Sequence, residues 1–461
     1  MSKPTLEDIV SLAKRRGFIF PSSEIYGGLA GVYDYGPLGV ALKHNIQNLW
    51  WSSFVTAWDD MYPMDAAILM NKKVWEASGH ATGFNDPMVE CDNCHSRLRA
   101  DHVKDSKCPV CGKTDTLSKP KQFNMMFKTQ VGAVETVHKV TEEFKDGEWK
   151  VKSSEDYTRT DPVIPDFTYL RPETAQGMFV NFKNLLDTVQ PDMPFGMAQT
   201  GKAFRNEISP RDFLFRLREF DMMEIEYFVH PDKWEEAFEQ WRAGMQTFFK
   251  KLGLHSVGEL DVPEKERAHY SKKTIDFEFD FPFGNAELAG LAYRGDYDLS
   301  KHQEATNGDF RYRPKDGSKP FIPHVIEPSF GLDRLVLAIL TEAYAEDEQG
   351  GEKRTYLKLP AQIAPTKAAV LPLVRTNEDV VNKAREIYEN LKNDTGLSVA
   401  YDEKHSIGKR YRKQDEIGTP FCITVDFESL EDKRVTIRNR DDLSQRRVSL
   451  SDLVDYLSSA T

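Results

Sequence analysis

Apolar residues recur at helical spacing from the start of the chain. Leu6, Ile9, Val10, Leu12 and Ala13 fall on one side of a 3.6-residue period and predict an amphipathic helix. After turns rich in Gly and Tyr that begin at Gly27, a longer helix is predicted through Leu42, Ile46, Leu49, Trp50 and Phe54, and its aromatic face needs a partner. From residue 84 to about 165 the sequence becomes charged, cysteine-bearing and weakly periodic, which reads as an insertion without a core of its own. Alternating patterns then dominate 169–228. Trp234, Phe238, Trp241, Met245, Phe248 and Phe249 predict an amphipathic helix over 231–252, and strand texture returns over 274–283. A buried helix is predicted over 330–340, followed at 346–353 by a polar, acidic linker with two glycines. Beyond it, β-like segments at 368–374, 397–401, 421–425 and 434–438 alternate with helical ones at 380–391 and 453–457, the pattern of a compact α/β module. There is neither an internal repeat nor a low-complexity tract.

Length adds domain count to this picture. At 461 residues the chain exceeds the roughly 250–300 residues that one apolar core supports, so two or three domains are expected. The 40% hydrophobic and 29% charged composition is that of a globular protein. No run approaches the ~18 apolar residues of a membrane helix. The N-terminus carries neither an apolar signal core nor an Arg-rich transit pattern, which places the chain in the cytoplasm with no membrane partner.

The net charge of −12 argues against nonspecific coating of nucleic acid. From Tyr356 to Thr461, however, 17 Lys and Arg balance 17 Asp and Glu, so the acidic excess lies upstream. Lys404, Lys409, Arg410, Arg412 and Lys413, interleaved with Tyr411, have the makings of a phosphate-contacting face. Taken alone, the patch is read more simply as a solvated helix face.

Of five cysteines, four form two pairs, Cys91 with Cys94 and Cys108 with Cys111, separated by 13 residues. Without a secretory signal, this spacing reads as a closed, structural zinc site of four thiolates rather than as disulfides. The alternative is a vestigial, metal-free knuckle. Cys422 lies in an apolar, strand-like run and reads as core.

The stretch from Phe204 through Arg216-Leu-Arg-Glu-Phe220 to Phe228 reads as a hairpin with a charged loop. Strand alternation would set Arg205 and Glu207 on one face, and Arg216, Arg218, Phe220, Met222, Glu224 and Glu226 on another. Guanidinium forks, a ring and carboxylates in line suit a nucleoside triphosphate with a zwitterionic co-substrate. A salt-bridged surface strand pair is the simpler alternative.

Two segments resemble class II aminoacyl-tRNA synthetases. Phe204-Arg-Asn-Glu207 followed by Arg216 to Phe220 is similar to their motif 2, and Glu327-Pro-Ser-Phe-Gly-Leu-Asp-Arg334 to motif 3 in its glycyl variant. Arg171-Pro-Glu-Thr-Ala-Gln-Gly177, Glu287-Leu288, Ser78-Gly-His80, Gly408-Lys-Arg-Tyr-Arg412 and Asp415-Glu-Ile-Gly-Thr-Pro-Phe421 resemble homodimeric glycyl-tRNA synthetases, so the likeness spans nearly the whole chain. It implies an α+β protein. An antiparallel-sheet catalytic domain over 1–355, with a zinc-knuckle-like insertion at about 85–160, would precede an α/β anticodon-binding domain over 356–461.

The implied reaction forms glycyl-adenylate from glycine and ATP with Mg²⁺, releases diphosphate, and transfers glycyl to the 3′ end of tRNA(Gly), leaving AMP. Arg205 would clamp the α-phosphate and, with Arg334, stabilise charge developing in the transition state. ATP would meet Arg205, Asn206, Glu207, Phe215, Arg216, Leu217, Arg218, Glu219 and Phe220, then Glu287, Leu288, Gly331, Leu332, Asp333 and Arg334. Within that set Phe220 and Arg334 would sandwich adenine, Glu207 would accept from its amino group, and Glu287 would hold Mg²⁺. Glycine would meet Arg99, Glu173, Phe220, Asp221, Met222, Met223, Glu224, Glu327, Pro328, Ser329, Phe330 and Gly331. A carboxylate nucleophile is already ionised, so no general base is implied.

One departure stands out: the motif 1 proline expected after the dimer helix has no clear match between Asp65 and Ser78. The rival readings are a synthetase for another small amino acid and a non-enzymatic binding protein built on the same fold. Glu327-Pro-Ser329 with the other acids speaks against the first. The second should have lost some of Arg205, Glu207, Phe220, Glu327 or Arg334, and all are present.

Overall fold

A computed structural model describes residues 3–103, 105–132, 137–145, 148–157, 166–349 and 351–460. The first helix, Leu6–Arg16, starts at a reciprocal cap in which Thr5 accepts from the Asp8 amide and Asp8 from the Thr5 amide. It ends at Gly17, whose φ of +75° suits a left-handed cap. Ile9, Leu12 and Ala13 are buried, as the periodicity requires.

The dominant element is a seven-stranded sheet. In chain order its strands are β1 (Met61–Pro63), β2 (Phe195–Phe204), β3 (Glu219–Val229), β4 (Gly258–Asp261), β5 (Lys273–Phe281), β6 (Gly284–Gly295) and β7 (His324–Gly331). The spatial order is β4-β5-β6-β7-β3-β2-β1, antiparallel except where the short edge strand β1 runs parallel to β2. Side chains alternate across it, and each face does different work. On the far face, Met223, Ile225, Ile326 and Phe330 join the large core. There Trp50 and Phe54 meet Phe330, with Trp241 and Phe248 of the helix Trp234–Lys251 against Phe54. The aromatic face foreseen around Trp50 therefore finds its partner within the chain, and Trp50 is fully buried. On the near face, the helix Ala175–Thr188 lays Phe179 and Phe182 over Phe195, Met197 and Phe228, covering one end and leaving the other open as a cleft.

No proline stands between 65 and 78, and the nearest one upstream is Pro63. Pro63 closes β1, paired with Ala198, directly after the helix Pro37–Trp51 and its continuation Ser52–Thr56.

The region expected as an insertion holds a three-stranded sheet of Asn85–Glu90, Arg97–Arg99 and Lys121–Asn124, and a hairpin of Val137–Lys145 with Glu148–Tyr157. Its expected end at 160 lies outside the described residues.

Residues 346–353 are not a plain linker. Tyr344–Gln349 and Glu352–Leu357 pair antiparallel, with Gly350 of the turn outside the described residues. The charges hid a strand whose inward residues are Arg354 and Tyr356, and a buried arginine needs the acids around it.

A second sheet follows: β8 (Ala368–Pro372), β9 (Val399–Tyr401), β10 (Phe421–Val425), β11 (Arg434–Asn439) and β12 (Gln445–Ser449), ordered β9-β8-β10-β11-β12. β8 is parallel to both its neighbours, joined through the helices Glu378–Thr395 and Ile407–Glu416, and a separate apolar core lies beneath. Leu357, Leu359, Ile363 and Ala364 pack into the first core, while Ala368 is in the second.

Candidate active site

The cleft on the near face has a volume of about 410 Å³. Its wall is the loop joining β2 to β3. Arg205, Glu207, Arg216 and Arg218 belong to this loop and not to the strands, so the alternation expected for them does not apply; Phe220, Met222, Glu224 and Glu226 do share the near face of β3. Backbone bonds fix the loop: Arg205 N–H donates to the Arg218 carbonyl at 2.9 Å, and Asn206 N–H to Met125 at 2.8 Å. Arg218 braces it by donating to the Glu207 carbonyl and to Ala30. The Arg218 amide in turn donates to Gly31, which has φ +76° and where any Cβ would strike Pro210.

Within this wall the Arg205 guanidinium lies 5.4 Å from the Phe220 and Phe84 rings. Arg216 and Glu207 approach to 3.6 Å. Among the described residues these two facing atoms, Arg216 Nη1 and Glu207 Oε2, have no hydrogen-bond partner though both are buried. Across the mouth, Arg334 in the first turn of the helix Leu332–Ala343 lies over the Phe215 ring and binds Glu287. That charge, against the burial, holds the Glu287 carboxyl below its usual range. Asp276 and Glu278 on β5 complete an acidic strip that the sequence reading missed, and burial, with Glu287 and Glu278 nearby, pushes Asp276 up to about 7. Arg99 reaches the cleft from the insertion, held by Asp86 at 2.6 Å and Asp101 at 2.7 Å.

The cleft floor is a buried acidic chamber. Glu224 accepts from the Thr174 amide at 2.7 Å, from the Thr174 hydroxyl, and from Ser329 at 2.9 Å. Glu327 accepts from Arg294 at 2.6 Å, and Arg294 also forks onto Asp298 at 2.7 and 2.9 Å. Glu173 lies 3.3 Å from His80, which Ser78 orients at 2.8 Å, and accepts from Gln176 at 3.1 Å. His80 and Arg294 outweigh the burial and hold Glu173 below its usual range. Burial pushes Glu327 the other way, to about 8, with Glu224 and Glu173 adding to the effect against the pull of Arg294. Arg294, stacked 3.6 Å from the Tyr270 ring, is fully buried, and losing one partner from such an ion pair costs about 3–5 kcal/mol. Arg294, Asp298, Tyr270 and His302 were not foreseen. They lie outside the recognised motifs, and an Arg in a strand followed by an acid four residues on is a weak signal.

Of the residues expected to bind ligands, Arg99, Glu173, Arg205, Glu207, Phe215, Arg216, Leu217, Phe220, Met222, Glu224, Glu287, Leu288, Glu327, Ser329, Gly331, Asp333 and Arg334 line one cleft. Asn206, Arg218 and Glu219 support its wall, Glu219 through Lys202 at 3.3 Å. Asp221, Met223, Pro328, Phe330 and Leu332 are not brought into it. Met223, Phe330 and Leu332 are far-face core, Pro328 falls on the same face of its strand as Ile326 and Phe330, and Asp221 pairs with Lys43 and Lys202. Only their backbone can meet a ligand in the cleft.

At the far end of the insertion sheet, the sulfurs of Cys91, Cys94, Cys108 and Cys111 all lie within 4.8 Å of one another. The closest pairs, Cys91 with Cys111 and Cys94 with Cys108, are 3.7 Å apart. Tetrahedral thiolates at about 2.3 Å from zinc would stand ~3.8 Å apart, so the residues fit that metal. Cys422 is buried core.

The C-terminal basic patch is largely spent on the fold. Arg410 is buried against the carbonyls of Pro372, Asp402 and Leu373; Lys413 binds Asp402; Arg412 donates to Gln349. Lys404 and Lys409 are exposed.

Residues 157–343 match the family model "tRNA synthetase class II core domain (G, H, P, S and T)", and residues 367–460 match "Anticodon binding domain". Among full-length proteins, the chain is 44% identical to "Glycine--tRNA ligase" of Cutibacterium acnes, covering 99% of this chain and 96% of that one. It is 45% identical to the protein of that name in Borreliella afzelii, covering 98% and 96%, and 46% identical to that of Alkaliphilus oremlandii, covering 99% and 98%. Among the described residues no helix is long and apolar enough to cross a membrane.

Proposed function

The chain belongs to the glycine–tRNA ligase family of class II synthetases, and from that premise we propose that it activates glycine with ATP and transfers it to tRNA(Gly). The observation that carries the reading is the joining of an arginine-lined cleft to a closed floor of Glu173, Glu224, Glu327 and Ser329. Carboxylates suit an ammonium, the guanidinium groups suit phosphates, and a floor closed by these side chains would select against a larger amino acid.

Arg205 would hold the α-phosphate as the glycine carboxylate attacks in line and diphosphate departs. Arg216 and Arg334 would take the departing phosphates, Phe220 and Arg334 the adenine faces, and the unsatisfied Glu207 oxygen the adenine amino group. Glu287, with Asp276 and Glu278 beside it, offers the oxygen donors that Mg²⁺ requires, and the bound cation would draw the raised Asp276 carboxyl down into the ionised form. The four cysteines would hold a structural zinc and take no part in the chemistry.

A division into a catalytic domain over 1–355, with its insertion at about 85–160, and an anticodon-binding domain over 356–461 assigns tRNA recognition to the second sheet. Because its Arg410, Arg412 and Lys413 are engaged internally, Lys404 and Lys409 are the cations of that patch left for a tRNA backbone. A homodimer fits the exposed apolar tip at Ile25, Tyr26 and Leu29, which is carried by the turn that Arg218 braces. A cytoplasmic location fits the substrates.

The reading is tested by incubating the protein with ATP, total tRNA and one labelled amino acid at a time. Acid-precipitable label with glycine, and with alanine at less than about a hundredth of that rate, is the expected outcome. Equal labelling by alanine, or none by glycine, would overturn it.

A further inference from the structure

Glu226 has no part in the roles above. It is fully buried on the near face of β3, two residues beyond Glu224, and among the described residues neither of its carboxylate oxygens has a hydrogen-bond partner. An ionised carboxylate does not tolerate that environment. Its charged surroundings are acidic from nearly every side: Glu224 on its own strand, Glu327 on β7, and Asp298 on the helix Tyr297–Thr306, with Arg294 of β6 as the balancing cation. Across β2 the facing residues are Met197 and, opposite Glu224, Gln199, both uncharged. Glu173 with its partner His80 adds one more acid at the rim of the same chamber, and His302 and Tyr270 are its other titratable groups.

Five buried carboxyls, Glu173, Glu224, Glu226, Glu327 and Asp298, thus face Arg294 and His80. They cannot all be ionised while the chamber is empty. Burial, with Glu327 adjacent, pushes Glu226 well above the usual carboxylate range, and Glu327 itself is pushed up to about 8.

We infer that the empty chamber stores a proton on the Glu226–Glu327 pair, and that the substrate ammonium releases this proton to solvent as it binds. The inference rests on the glycine reading and deepens it, making Glu226 a charge-setting residue beneath the site rather than a ligand. The balance is simple: one ammonium enters, one carboxyl O–H is broken, and the buried charge stays constant. The bound ammonium lowers the pair's affinity for protons, so substrate affinity should rise with pH up to the pair's unliganded range, approaching tenfold per pH unit for one proton.

The test is calorimetric titration with the sulfamoyl analogue of glycyl-adenylate, at about pH 6.5, in buffers of different ionisation enthalpy. Release of close to one proton per chain is expected, falling below about half in Glu226→Gln. The analogue with its amine replaced by hydroxyl, which needs no variant, should release none. Binding of the amine analogue with no buffer dependence, or equal release with the hydroxyl analogue, would overturn the inference while leaving the glycine reading intact. Failure of the amine analogue to bind would instead overturn the glycine reading, and this inference with it.

Discussion

Arg334 Nη1 lies 2.9 Å from Glu287 Oε2, tying the first turn of the helix Leu332–Ala343 to β6 across the mouth of the cleft. The same guanidinium donates to the Phe215 carbonyl at 3.2 Å and sits 4.5 Å from the Phe215 ring. Planarity and a fork of donors are needed for that combination, and lysine supplies neither. Arg334→Lys should therefore lower glycine-dependent exchange of diphosphate into ATP by about 10²-fold or more, with the ATP KM raised and the glycine KM little changed. Steady-state exchange at varied ATP and glycine separates the two.

Glu224 collects three donors on two oxygens, and turning one oxygen into an amide removes the charge and mismatches at least one of those donors. Glu224→Gln should raise the glycine KM about 10-fold or more, since a charge-assisted bond contributes about 1.5–3 kcal/mol, while the ATP KM moves little. Exchange kinetics measure it, and circular dichroism establishes that the variant is folded.

The second sheet is held to the first part of the chain through a buried ion network. Asp415 accepts from both Arg438 nitrogens at 2.8 Å and from Arg354 at 3.2 Å, while Arg354 also binds Asp347 and the Arg440 carbonyl. Asp415→Asn would leave two buried arginines short of a counter-charge, at a cost of about 3–5 kcal/mol. Charging of tRNA should fall far more than ATP exchange. Differential scanning calorimetry should show the C-terminal part unfolding earlier, as a transition split from the main one. Truncation at residue 357 is a blunter probe, because Leu357, Leu359, Ile363 and Ala364 belong to the first core and would be lost with the second.

One zinc per chain is expected by elemental analysis, and Cys108→Ser should remove it. The cysteine end and the cleft end belong to one sheet, whose strand Asn85–Glu90 carries Asp86, the partner of Arg99. Stripping the metal should therefore lower thermal stability and raise the glycine KM without abolishing turnover. Full retention of stability in a metal-free protein would contradict a structural site.

The sequence revealed elements whose periodicity was uninterrupted and motifs whose residues lie close together in the chain. Ile9, Leu12 and Ala13, the aromatic helix ending in Phe54, and the alternation of β8–β12 with their helices are of this kind. What escaped was set by long-range contact. Residues 346–353 looked like a charged linker because Arg354, which follows them and binds Asp347, is itself held by Asp415 and Arg440, 61 and 86 residues away. Arg294 joins Glu327 across 33 residues with no local signature. Arg410 looked free to meet tRNA because the carbonyls that bury it belong to other elements. The far-face residues Met223 and Phe330 were swept into the binding set with their motif neighbours, although strand alternation sends them to the core.

Amino-acid-dependent exchange of labelled diphosphate into ATP, run with each amino acid singly and repeated with Arg205→Ala, tests the central claim most directly. Exchange with glycine alone, lost in the variant, is the expected result; exchange supported equally by another amino acid, or silence with all of them in the folded protein, would contradict it.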